Sequence, residues 1–112
     1  MMNGMDLTRD EVLARLHDAG GTLEFCWSRL NDEGCKALAE GLASNQSLTS
    51  LDLSDCKAIG NDGFKALAEG LASNEALLSI NLSGCESLSD KGCRALGECL
   101  KSNRALTKID LS

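Results

Sequence analysis

Six cysteines, a single histidine and 17 carboxylates are the groups from which this 112-residue chain could most readily build metal or nucleophilic chemistry. Their spacing argues against it. No two cysteines stand in the C-x-x-C arrangement of a zinc site. His17 lies near the end of an apparent helix, where a cation suits the helix dipole. One histidine in that place supports no Ser–His–Asp or Cys–His arrangement, and nothing marks two carboxylates as a catalytic pair. Each glycine recurs at a packing position, so there is no phosphate-cradling loop. We expect no catalytic residue, metal or cofactor. Five cysteines fit packing roles, since a buried free thiol behaves as a small hydrophobe. Cys99 replaces Gly41 and Gly70 on a buried helix stripe, Cys35 and Cys93 share a semi-buried column with Phe64, and Cys56 and Cys85 follow two strands. Cys26 differs, because it falls on the outward phase of a strand.

The elements that place these residues repeat. KALAEGLASN occupies 36–45 and returns unchanged at 65–74, 29 residues on, and RALGECLKSN follows at 94–103. A fixed period of that size marks a stacked repeat. Within each unit, apolar residues alternate as Leu23/Phe25, Leu51/Leu53, Ile80/Leu82 and Ile109/Leu111, which predicts half-buried strands at 22–26, 48–54, 77–83 and 106–112. Leu30, Ile59 and Leu88 point inward from the loops. Helices of 3.6-residue period follow, with Asn31, Gly60 and Ser89 as N-caps. Asn45, Asn74 and Asn103 stand where a left-handed C-cap is wanted. Asp32–Lys36 and Asp90–Arg94 form favourable i,i+4 pairs on the helix surface. Ahead of the repeats, Thr8 and Glu11 make a capping box and Leu7 can staple onto Val12; Gly20 and Gly21 end that helix. We therefore divide the chain into a disordered start and N-terminal capping helix (1–21) and repeats at 22–47, 48–76 and 77–105, with a terminal strand at 106–112.

The bulk composition agrees. Hydrophobic residues make up 43% and aromatics only 3%, so the core is a stack of aliphatic layers. The net charge of −6 argues against nucleic acid or an anionic membrane and fits a basic protein partner. There is no run of about 18 apolar residues to span a membrane and no signal core, so a cytoplasmic location with reduced thiols is expected.

LTSLDLSDC (48–56) and LLSINLSGC (77–85) resemble leucine-rich repeats. The long period, a full helix per unit and the tract GxxALAExL are similar to the ribonuclease-inhibitor subtype, shared by NOD-like receptors and Ran GTPase-activating proteins. The resemblance spans about 22–112. It implies an α/β solenoid, a curved right-handed horseshoe segment with a parallel sheet on its concave face and helices on its convex face. It also implies that Cys56 and Cys85 bond loop backbone. Two features depart from the pattern: the second and third loops carry one extra residue, and the repeats are few.

What the resemblance implies for function is protein–protein interaction. The outward strand residues stack as Thr22/Ser50/Ser79/Lys108, Glu24/Asp52/Asn81/Asp110 and Cys26/Ser54/Ser83/Ser112. With strands about 4.8 Å apart, the second column is a closely spaced acidic ladder that a basic ligand could use. Trp27, on the first loop, is the one aromatic anchor beside it. A non-catalytic module binding a protein through this face is the leading expectation. A self-assembling scaffold, or a piece of a longer array, is the alternative. There Leu106, Ile109 and Leu111 form an uncovered edge through which fourth strands pair into a homodimer. Regulation of a small GTPase or a nuclease rests on family analogy alone.

Overall fold

The computed structural model describes residues 7–25, 30–86 and 88–111. Four helices alternate with four strands: α1 (Arg9–Asp18), β1 (Thr22–Glu24), α2 (Asp32–Ser44), β2 (Ser50–Asp52), α3 (Asn61–Ser73), β3 (Ser79–Asn81), α4 (Asp90–Ser102) and β4 (Lys108–Asp110). The strands form one parallel sheet in the order β1-β2-β3-β4. The helices stack in the same order as a second layer. Helices need about 8–10 Å of width and strands about 4.8 Å, so the stack bends with the strands inside. This is the α/β solenoid expected from the repeats.

The strands are shorter than the alternation suggested, three residues each. Alternation outlasts the regular ladder because the flanking backbone still pairs in step: Phe25 N–H donates to Asp52 O and Leu53 N–H to Asn81 O, each at 2.8 Å. Between the layers lies an aliphatic core with two phenylalanines. Leu23, Leu51 and Ile80 enter it from the sheet, Leu38, Leu42, Leu67 and Leu71 from the helices, and Leu30 and Ile59 from the loops.

Helix starts follow local rules only in part. Glu11 N–H donates to Thr8 Oγ1 at 3.2 Å and Thr8 N–H to Glu11 Oε1 at 2.8 Å, completing the capping box. The hydrogen bond from the Thr8 backbone holds the Glu11 carboxyl below the usual glutamate range. Asn31 Oδ1 caps α2 by accepting from Gly34 N–H at 2.9 Å. Gly60 and Ser89 are N-caps without a side-chain cap bond. The Ser89 hydroxyl instead donates to Asn61 Oδ1 at 2.6 Å. Asp32 does not go to Lys36; its Oδ1 accepts from Gly60 N–H at 2.6 Å, and Lys36 reaches Glu33 at 3.4 Å. A buried-edge amide from the next repeat is a better partner than a solvated ammonium.

The helix ends overturn one expectation. Asn45, Asn74 and Asn103 are extended, with φ of −86°, −89° and −87°, not left-handed. Their side chains, rather than their backbones, are what the fold uses. Asn74 Nδ2 donates to Leu42 O at 2.7 Å and Asn45 O at 2.8 Å. Its Oδ1 accepts from Ala76 N–H and Leu77 N–H. Asn103 repeats the pattern on Leu71 O, Asn74 O, Ala105 and Leu106. Each repeat is thereby tied to the C-terminus of the helix before it.

Candidate functional site

The sheet register brings together the outward columns read from the sequence: Thr22–Ser50–Ser79–Lys108 and Glu24–Asp52–Asn81–Asp110. Thr22, Glu24 and Lys108 are exposed, and the other five are half-buried. Between β2, β3 and β4 these side chains line a depression of about 190 Å³, walled by Ser50, Asp52, Ser79, Asn81, Lys108 and Asp110.

The face is pre-ordered. Ser79 and Ser50 hydroxyls are hydrogen-bonded at 3.2 Å. Asp52 Oδ1 accepts from Ser54 N–H, and Asn81 Oδ1 from Ser83 N–H, both at 2.9 Å. These Asx turns fix each side chain against its own loop. Asp and Asn are interchangeable there, so one column carries both charged and neutral rungs. Ser54 and Ser83 continue it as half-buried residues. Cys26, Trp27 and Ser112 lie outside the described residues. Three carboxylates against one ammonium leave the two columns acidic.

The thiols occupy other places. Cys56 Sγ donates to Phe25 O at 2.9 Å and Cys85 Sγ to Leu53 O at 3.1 Å, bonding the backbone of the preceding unit. Burial pushes the Cys35, Cys85 and Cys99 thiols above the ordinary cysteine range, which disfavours the nucleophilic thiolate. Cys93 was expected to be semi-buried with Cys35 and Phe64, but it is exposed. Phe64 is covered by α4 around Gly92, and no described segment covers Cys93 in the same way. His17 is exposed beside Asp18.

At the β4 edge, Leu106 and Ile109 are half-buried and Leu111 is 48% exposed, whereas Leu48, Leu51, Leu53, Leu77, Ile80 and Leu82 are buried at the same points of the earlier repeats. One residue the outward columns omit is Leu78, also 48% exposed. Its signal was in the sequence: the residues preceding the strands are Gly21, Thr49, Leu78 and Thr107, and Leu78 alone is a large apolar side chain.

The family model "Leucine Rich repeat" matches residues 44–68 and 73–97, two windows in the same phase of successive units. The chain contains leucine-rich repeats. Among solved structures, this leucine-rich-repeat chain is similar to actin-binding site 2 (ABS2) of leiomodin-1, with a TM-score of 0.81 and 21% identity, over 99% of this chain and 68% of that one. It is also similar to the tropomodulin C-terminal domain of Caenorhabditis elegans, with a TM-score of 0.54 and 12% identity, over 95% of this chain and 83% of that one. No curated protein sequence matches it. Among the described residues, no helix is long and apolar enough to cross a membrane.

Proposed function

We propose that this leucine-rich-repeat chain is a non-catalytic protein-binding module whose partner docks on the strand face. The observation that carries this reading is the depression across β2, β3 and β4, built from side chains that are already held in place before any partner arrives. Pre-ordered groups lose little conformational entropy on binding. The acidic columns favour a basic partner segment. The repeat length and the GxxALAExL tract support the ribonuclease-inhibitor subtype, and the free thiols among the described residues suit a reducing, cytoplasmic setting.

Actin is the partner we propose to test first, because the likeness to an actin-binding site of leiomodin-1 runs through 99% of the chain. Wild type is expected to co-pellet with filaments or to bind monomeric actin in calorimetry. Neutralising the face with Glu24→Gln, Asp52→Asn and Asp110→Asn is expected to weaken that binding at least about tenfold, the effect of losing about 1.4 kcal/mol. Asp52→Asn keeps the turn that Asn81 already makes with Ser83. Equal binding by the two proteins would remove the strand face from consideration.

The exposed Leu111 and half-buried Ile109 favour a second reading, self-association through the outer edge of β4. Light scattering at low micromolar concentration decides it. A monomer at 11.8 kDa would end that reading.

A further inference from the structure

Of the four residues that lead into the strands, Thr49, Leu78 and Thr107 share one backbone pattern. Thr49 and Ser50 N–H groups both donate to Gly21 O, those of Leu78 and Ser79 to Thr49 O, and those of Thr107 and Lys108 to Leu78 O. Two of the four add a side-chain bond to the same acceptor: Thr49 Oγ1 to Gly21 O at 3.1 Å and Thr107 Oγ1 to Leu78 O at 3.2 Å. At the third repeat this bond is given up. The Leu78 side chain has no group to donate to Thr49 O beside its own backbone N–H, and the residue is 48% exposed.

The hydrogen bonding at the strand entries does not call for a leucine. Threonine stands in the neighbouring repeats on both sides, in the same backbone setting, and makes a hydrogen bond there. Leu111 is the other large hydrophobic residue that is exposed among the described ones, and it lies beyond the last strand. Leu78 lies inside the array, between two flanking repeats, directly before the Ser79 that lines the depression. A local rule broken without a gain in stability is expected at a functional position.

We infer that Leu78 is the apolar anchor of the bound partner and determines which segment the strand face accepts. The inference rests on the strand-face reading above. From Leu78 to the rung formed by Asp52, Asn81 and Asp110 is three residues, roughly 10 Å at about 3.3 Å per residue. The partner segment that fits presents an apolar side chain to Leu78 and a lysine or arginine about 10 Å further along, at the carboxylates. Removing the apolar contact leaves the acidic rung unable to hold the segment in register.

The test uses the whole chain and actin as the probe. Leu78→Thr is expected to melt no lower than wild type, because it restores the bond made at Thr49 and Thr107, and to bind actin at least tenfold more weakly. Leu78→Met is expected to retain binding. A Leu78→Thr protein that is clearly less stable would make the leucine a structural residue and overturn the inference. One that is stable and binds as wild type would overturn it while leaving the strand-face reading standing. Wild type that fails to bind actin ends the actin reading together with the anchor, and that result is visible without any variant.

Discussion

Asn74→Ala is expected to lower folding stability by about 3–4 kcal/mol, from hydrogen bonds worth about 1 kcal/mol each and more where a buried partner is stranded. The side chain is 1% exposed and makes four hydrogen bonds, two given by Nδ2 and two accepted by Oδ1. Alanine leaves the Leu42 and Asn45 carbonyls and the Ala76 and Leu77 N–H groups without those partners. Natural domains hold only about 5–15 kcal/mol in total, so the loss is a large fraction of what the fold has. Asn74→Asp should be worse, because a carboxylate oxygen would then face two carbonyl oxygens. Position in the array sets the order. Asn103 makes the same four bonds at the last repeat, where local opening relieves the loss. Asn45 is half-exposed and should cost least. Urea denaturation followed by far-ultraviolet circular dichroism measures the series. A loss below about 1 kcal/mol for Asn74→Ala would mean that water replaces the amide freely and the ladder is not structural.

The same ladder shows where reading the chain stopped being sufficient. The local preference of Asn is its tolerance of left-handed backbone. The positions were right and the reason was not. What Asn74 recognises lies 29 and 32 residues earlier, at Asn45 O and Leu42 O, and no local propensity reports on that distance. Asp32 failed in the same way, because Gly60 belongs to the next unit. The family resemblance implied the backbone bonding of Cys56 and Cys85, and the period itself carried the strand columns and the caps at Asn31, Gly60 and Ser89. These depend only on phase within the repeat. Cys93 shows the limit of phase: three equivalent positions have one pattern, yet only those covered by a following helix are buried. The candidate site was legible as columns, but its organisation was not, since Asx turns depend on side-chain rotamers that alternation does not specify. Leu78 was visible as an odd residue in its column. It took the hydroxyl bonds of Thr49 and Thr107 to show what that substitution costs.

A methyl group added at two glycines of the same sequence motif should act with opposite signs. Gly70 packs where α3 crosses α2, and a Cβ there would sit 2.7 Å from Ala39 O and 2.8 Å from Ala39 Cα. Both are backbone atoms and cannot rotate away. Alanine is the better helix former by about 1 kcal/mol, but overpacking a close contact costs about 1–3 kcal/mol and more when the obstacle is rigid. We expect Gly70→Ala to destabilise by about 2 kcal/mol, with the steric cost outweighing the helix gain. Gly70→Leu should separate α2 from α3 altogether. Gly41 is milder, because its neighbours are the side chains of Leu13 and Leu16, which can turn aside. Gly97 has nothing within 4 Å of an added Cβ, so Gly97→Ala should stabilise by about 0.5–1 kcal/mol. The fold contains its own control for the Gly70 site. Cys99 takes the glycine's place in α4 and is buried there, so the α3–α4 interface admits a side chain where the α2–α3 interface has Ala39 backbone in the way. Denaturation midpoints for the three alanine variants should therefore rank Gly97→Ala above wild type, Gly41→Ala near or below it, and Gly70→Ala last. A Gly70→Ala protein as stable as Gly97→Ala would show that α2 and α3 stand further apart than the Ala39 contact implies.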